Sequence, residues 1–137
     1  MAFYPYLFFG GNCREAFTRY QEIFGGELFV VTGADMPPED RPPEGAEAMV
    51  MHAALTGADQ LLLGSDDPFS EQFGPVDGMK VNFSTTDEGE ARRVFDQLAE
   101  GGAVQMEMAT ASWSPAFGLC TDRFGTPWMV GVDVPQE

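Results

Sequence analysis

His52 is the only histidine among the 137 residues, so any chemistry it performs is that of a lone imidazole and not of a multi-histidine metal cluster. An imidazole titrates near neutrality, which suits it to general base catalysis or to a ligand contact. Val50 and Ala54, at period two, place His52 on one face of a mostly apolar strand, so the simpler reading is a partly buried, hydrogen-bonded histidine. Cys13 and Cys120 are the only cysteines and lie far apart without a Cys-x-x-Cys or Cys/His pattern. That spacing supports neither a disulfide framework nor a zinc site, and both are expected to be reduced and buried.

Three further side chains are candidates for binding. In Met79–Thr85, strand alternation directs Val81 and Phe83 towards a packed helix and leaves Lys80, Asn82 and Ser84 on the opposite face, where a cleft would form. Lys80 there either binds an anionic ligand or faces solvent; Asn82 either contacts the ligand or makes a structural hydrogen bond. Trp113 lies in Ala109–Ala116, a stretch of small residues that reads as a flexible loop, and either stacks on a flat ligand or contacts a second subunit. Trp128 is expected in the core. Asp122 and Arg123 precede Phe-Gly at a tight turn, where an aspartate bonds backbone two residues on.

The elements that position these residues come in two copies. A shift of 75 residues aligns Phe8 with Phe83, Asn12 with Asp87, Glu15 with Glu90 and Ala16 with Ala91, continuing through Tyr20/Phe95, Ile23/Leu98 and Gly26/Gly101. Asn12-x-x-Glu15 and Asp87-x-x-Glu90 both read as helix-start capping boxes. Apolar stripes follow at helical spacing, and each ends on a glycine pair, Gly25-Gly26 or Gly101-Gly102. Strands are expected at Phe3–Phe9, Leu28–Thr32, Met49–Thr56 and Gln60–Ser65, then at Met79–Thr85, Val104–Met108, Phe117–Thr121 and Trp128–Asp133. The last strands align at an offset of 67, Gly64 with Gly131 and Asp66 with Asp133. The expectation is an α+β fold of two tandem β-α-β-β-β modules, about 1–68 and about 76–137, within a single domain spanning 1–137. Gly33–Ala48, with four prolines and five acids, and Asp66–Gly78 read as loops; the first is either a solvated excursion or a lid.

Composition narrows the function classes. Seven Lys and Arg against 22 Asp and Glu leave a net charge of −15, which repels phosphate backbones and anionic membrane surfaces, so neither nucleic acid nor membrane is an expected partner. No apolar run approaches the roughly 18–20 residues of a membrane span, and Met1–Gly11 carries no basic residue of a signal peptide. The chain reads as soluble and cytoplasmic. No G-x-G-x-x-G follows a strand, and a doubly wound parallel sheet is not implied, so S-adenosylmethionine binding has no support; serine-nucleophile, P-loop and HExxH motifs are likewise missing.

Tyr6-Leu7-Phe8, the stretch from Asn12 through Gly26, His52, Trp113, Phe117-Gly118 and Asp122-Arg123-Phe124-Gly125-Thr126-Pro127-Trp128 together resemble the PhnB-like proteins of the vicinal oxygen chelate superfamily, which includes glyoxalase I, extradiol dioxygenases and bleomycin-resistance proteins. The resemblance covers nearly the whole chain. It implies a curved mixed sheet in each module, a ligand cleft between modules and a homodimer, and it brings with it a demethylubiquinone methyltransferase domain name. Metal-dependent relatives present His on the first strand and Glu on the last strand of a module. Those positions fall on or next to Pro5 and Lys80, and on Leu62 and Met129, none of which is a hard-metal ligand.

The resulting expectation is a metal-free small-molecule-binding homodimer without a cofactor. Its ligand contacts are His52, Lys80, Asn82, Trp113, Leu62 and Met129. The alternative is a lyase- or dioxygenase-type enzyme, with His52 as base or with a divalent metal.

Overall fold

A computed structural model describes residues 2–40, 47–57, 60–67 and 78–134. The chain divides into two compact units, Met1–Phe73 and Gly74–Glu137. The first contains β1 (Tyr6–Phe9), α1 (Cys13–Phe24), β2 (Glu27–Thr32), β3 (Val50–Thr56) and β4 (Leu61–Asp66). The second contains β5 (Val81–Thr85), α2 (Glu88–Ala99), β6 (Ala103–Ala111), β7 (Ser114–Thr121) and β8 (Pro127–Val132). Each unit is thus a β-α-β-β-β module, and the fold is α+β. The sheets have the orders β1-β4-β3-β2 and β5-β8-β7-β6. In each, the first and last strands of the module pair parallel and the other pairs are antiparallel.

One face of each sheet is covered by its helix. Cys13, Ala16, Phe17, Tyr20 and Ile23 form the buried stripe of α1, and Ala91, Val94, Phe95 and Leu98 that of α2. Full burial of a large apolar side chain contributes about 1.5–3 kcal/mol, so these stripes carry much of each module's core. Packing is tight enough to require glycine beneath each helix: a Cβ on Gly64 would lie 2.6 Å from Phe17 Cε1, and one on Gly118 would lie 2.8 Å from Phe95 Cε2. Gly25 (φ 74°) and Gly101 (φ 77°) take the left-handed conformation just past the helices, where an L side chain would be strained.

The helix starts differ from expectation. Asp87 caps α2, its carboxylate accepting from Glu90 N at 3.1 Å. Asn12 makes no such bond. Asp66, 3% exposed at the end of β4, takes over in the first module: Oδ1 accepts from Gly11 N and Cys13 N at 3.0 and 2.9 Å, and Oδ2 from Val50 N at 3.0 Å. One carboxylate therefore joins β4 to the start of α1 and to β3.

The internal repeat holds in the helices and slips in the strands. Helix starts are separated by 88 − 13 = 75 positions, yet Leu7 pairs with Gly64 where Phe83 pairs with Val130, a separation of 83 − 7 = 76. Three residues join β1 to α1 and two join β5 to α2. Phe8, 59% exposed, consequently faces away from its helix while Phe83 faces α2, so the Phe8/Phe83 alignment is out of step. Gly64 and Gly131 likewise lie on opposite faces: Gly64 meets Phe17, and a Cβ on Gly131 would meet Phe117 at 3.4 Å.

Ala109–Ala116 is not a loop. β6 and β7 extend through it to a two-residue turn, Ser112-Trp113, fixed by Ser114 Oγ, which donates to Ala116 O or Val132 O (each 2.7 Å) and accepts from Val132 N (3.1 Å). In Gly33–Ala48, two short 3₁₀ turns occupy Gly33–Asp35 and Pro38–Asp40, and Gly33 N and Ala34 N bond Met49 O and Glu47 O. The rest of the lid expectation, 41–46, and residues 68–77 of the second expected loop lie outside the described residues. Among the described residues no helix is long and apolar enough to cross a membrane.

Candidate functional site

In the first module, alternation along β1 sends Leu7 and Phe9 into the core and leaves Tyr6 and Phe8 on the helix-free face, 37% and 59% exposed. On the neighbouring strands the same face carries Leu63, paired with Tyr6 and Ala54, and Phe29, paired with Ala54 and 62% exposed. His52 joins them. β3 has a bulge opposite Val31 and Thr32, which pair with His52 and Val50 and leave Met51 extra. The bulge turns Val50, 1% exposed, into the core and His52 out of it, so the two do not share a face as unbroken alternation predicts.

The half-buried imidazole of His52 meets Tyr6, which reaches it across β4: Tyr6 Oη lies 3.3 Å from His52 Nδ1, and the rings are 5.9 Å apart at 36°. Phe8 also packs against the phenol, with ring centroids 5.1 Å apart. Phe8, Tyr6 and His52 thus form a continuous aromatic row. Leu62 is not part of it. It is 8% exposed and points with Gly64 towards α1, because it is one residue out of phase with Leu63.

In the second module, Asn82 pairs with Met129, and Met129 with Leu119, on the helix-free face. Asn82 Nδ2 donates to Ser84 Oγ at 3.3 Å. Lys80 is exposed just before β5 and shares the alternation of Asn82 and Ser84. Trp113, 66% exposed at the hairpin turn, stands edge-on to Phe117 with centroids 5.4 Å apart at 74°. Asn82 and Met129 are therefore neighbours, with Phe117 further along β7 and Trp113 in the turn that precedes it. Sequence reasoning singled out His52, Asn82, Met129 and Trp113, but it missed Tyr6 as the partner of His52. The signal was present in the alternation of Tyr6-Leu7-Phe8-Phe9; its partner, 46 residues on, was not readable from it.

The remaining reactive types are structural. Cys13 and Cys120 are free thiols with no exposed surface. Burial, assisted by Asp66, pushes Cys13 up to about 12; burial, assisted by Asp122, pushes Cys120 up to about 11. Neither is a nucleophile at neutral pH. Asp122 Oδ1 accepts from Phe124 N and Thr126 N, and Oδ2 from Trp128 Nε1, and the Arg123 guanidinium lies 4.8 Å over the Phe124 ring. Asp35 is held below the ordinary carboxylate range by bonds from Thr32 N and Oγ1 at 2.9 and 3.0 Å.

Among the described residues, the two helix-free faces bring no divalent-cation ligand set together. The helix-free face of the first module carries Tyr6 and His52 among aromatic and aliphatic groups, with Glu27, Thr56 and Ser65 at other pairing positions, and that of the second carries Asn82, Ser84 and Thr121 with the thioethers of Met106 and Met129. Among the described residues no three His, Cys, Asp or Glu gather closely enough to hold a metal ion.

Residues 1–131 match the model of a family described as 3-demethylubiquinone-9 3-methyltransferase. The chain belongs to that family. This PhnB-like chain is 31% identical to protein YjdN of Escherichia coli, over 93% of its own length and 92% of the other. It superposes on protein PA1353 from Pseudomonas aeruginosa with a TM-score of 0.88 at 36% identity, covering 97% and 98% of the two chains. A second similar structure is a putative 3-demethylubiquinone-9 3-methyltransferase, PhnB protein, from Bacillus cereus (TM-score 0.75, 26% identity, 96% and 99% covered). A glyoxalase/bleomycin resistance protein/dioxygenase family enzyme from Burkholderia phytofirmans shares the fold alone, at 13% identity and a TM-score of 0.61 over 96% and 97% of the chains. The chain is thus PhnB-like, with the fold of a glyoxalase/bleomycin resistance protein/dioxygenase family structure. Among the described residues each sheet has a single parallel pair and not the doubly wound order that positions a nucleotide-like cofactor.

Proposed function

We propose that this PhnB-like chain binds a small, flat organic molecule on the helix-free face of its first sheet, without a metal, and acts as a homodimer. The observation that supports this is the row Phe8, Tyr6 and His52 with Phe29 on one sheet face: Tyr6, Phe8 and Phe29 are 37–62% exposed and His52 is half-buried, while α1 covers the other face. Exposed aromatic surface with one or two polar tips is the usual make-up of a site that stacks on a flat ligand and orients it by a hydrogen bond. On the second module, Asn82, Met129 and Trp113 supply a more polar face for the same kind of ligand, with Lys80 at its edge. An enzymatic reading would use His52 as a base, and the bond to Tyr6 opposes it.

The test is ligand-induced stabilisation. 2-Acetylnaphthalene, a flat ring carrying one acceptor oxygen, is expected to raise the melting temperature saturably, as for any ligand specific to the native state. Phe8→Ala and Phe29→Ala should each remove most of that shift while remaining folded. A shift that persists in both variants, or none across a panel of flat aromatic compounds, overturns the site. Saturable stabilisation by zinc, nickel or manganese overturns its metal-free character. Light scattering at 14.9 kDa, and not at twice that mass, overturns the dimer.

A further inference from the structure

We infer that Tyr6 is a positioning residue that holds His52 in the Nε2–H tautomer, so that the site presents a hydrogen-bond donor to its ligand and not a base. Tyr6 Oη and His52 Nδ1 are 3.3 Å apart. In a neutral imidazole one nitrogen carries the proton and the other the lone pair, and the bond made at one decides the state of the other. A phenol hydroxyl is a stronger donor than acceptor, and an unprotonated imidazole nitrogen is a stronger acceptor than a phenol oxygen. The stable direction is therefore O–H to Nδ1. The lone pair at Nδ1 is occupied by Tyr6, and the proton resides on Nε2.

The surroundings hold the pair in place. Phe8 packs against the phenol ring at 5.1 Å between centroids, and the bulge in β3 sets the outward direction of His52. Accepting a proton at Nε2 is closed to this tautomer, and accepting one at Nδ1 requires the Tyr6 bond to break. What remains available is the Nε2–H group. The inference rests on the ligand-binding reading and gives it a ligand class: a flat ring bearing an acceptor oxygen, such as a carbonyl, carboxylate or phenolate, within reach of one N–H donor.

Because the protein has one histidine, a ¹⁵N-labelled sample gives a single imidazole pattern. In a long-range ¹H–¹⁵N correlation at about pH 8.5, roughly two units above the ordinary imidazole value, Nδ1 should resonate as the unprotonated and Nε2 as the protonated nitrogen. The reverse assignment, or two averaged signals, overturns the inference. Tyr6→Phe, which removes only the hydroxyl, should move both signals towards averaging, and an unchanged spectrum overturns the role of Tyr6; should that variant not fold, the wild-type spectrum decides alone. The ligand class is read by comparing 2-acetylnaphthalene with 2-ethylnaphthalene, which keeps the ring and lacks the acceptor. A preference of about tenfold or more for the first, with movement of the Nε2 signal, supports the donor role. Equal affinity overturns that role while leaving the stacking site intact. Binding of neither compound removes the binding reading, and the tautomer spectrum is then judged separately.

Discussion

Trp128 donates its indole N–H to Asp122 Oδ2 at 2.9 Å, a bond between two side chains only 2% and 5% exposed. With Phe124 N and Thr126 N on Oδ1, this carboxylate organises the turn from Asp122 to Trp128. Asp122→Ala leaves three donors without that acceptor, and each buried unsatisfied group costs about 1–3 kcal/mol. The expected loss of stability is at least about 3 kcal/mol, measured by denaturant unfolding followed through tryptophan emission. A loss below about 1 kcal/mol would mean that water replaces the carboxylate.

The two helix starts should respond unequally to mutation. Asp87→Ala removes a side-chain cap and should cost about 1 kcal/mol. Asn12→Ala, at the matching position, removes no cap and should fall within about 0.5 kcal/mol of the wild type. Asp66→Ala, 54 residues later in the sequence, should cost more than either, since Gly11 N, Cys13 N and Val50 N all lose their acceptor. Equilibrium unfolding of the three variants ranks them directly.

Both thiols should be silent in the native protein. A disulfide exchange reagent at about pH 8 is expected to titrate neither cysteine until denaturant is added, and then both. Their pKa values also fix a sign. Each folded-state value is raised above the ordinary 9.0, so the thiols are neutral in both states below pH 9. Above it the unfolded chain loses protons first and stability falls with rising pH, up to about 12 for Cys13 and about 11 for Cys120. Cys13→Ala should flatten that alkaline limb by at most about 1.4 kcal/mol per pH unit. A limb as steep as the wild type's would show that Cys13 ionises as freely in the folded protein as in the unfolded one.

Adding one methyl beneath either helix should be costly. Gly64→Ala places a carbon against Phe17 and Leu7 O, and Gly118→Ala against Phe95 and Met108, all at 2.6–2.9 Å. Overpacking of this kind costs about 1–3 kcal/mol. Thermal unfolding of both variants checks it, and melting temperatures matching the wild type would mean that the helices ride outward freely.

Most of the architecture was legible because periodicity is local. The stripe Ala16, Tyr20, Ile23 and its partner Ala91, Phe95, Leu98 lie where helical spacing puts them, and eight strands were readable from apolar runs between turn residues. Side-chain facing was less legible, because a strand changes face with every residue. Leu62 faces α1 while its neighbour Leu63 shares the face of Tyr6 and Ala54, and a bulge at Met51 separates Val50 from His52. The short turn at Ser112-Trp113 was hidden by small residues that look like a loop. The contacts of His52 with Tyr6, and of Asp66 with Gly11 and Cys13, join residues 46 to 55 positions apart, beyond the reach of any local pattern.

The extra residue between β1 and α1 also governs how these halves can be exchanged. A chimera that copied β5 onto β1 by matching the helices would arrive half a pleat out of frame, turning Asn82 inward and Phe83 outward. Grafting one half's surface chemistry onto the other therefore requires a compensating insertion or deletion at the strand-to-helix junction. With that frame change the outward row of one half is free to be aromatic while that of the other is polar, so two modules of the same element order carry independently adjustable surfaces.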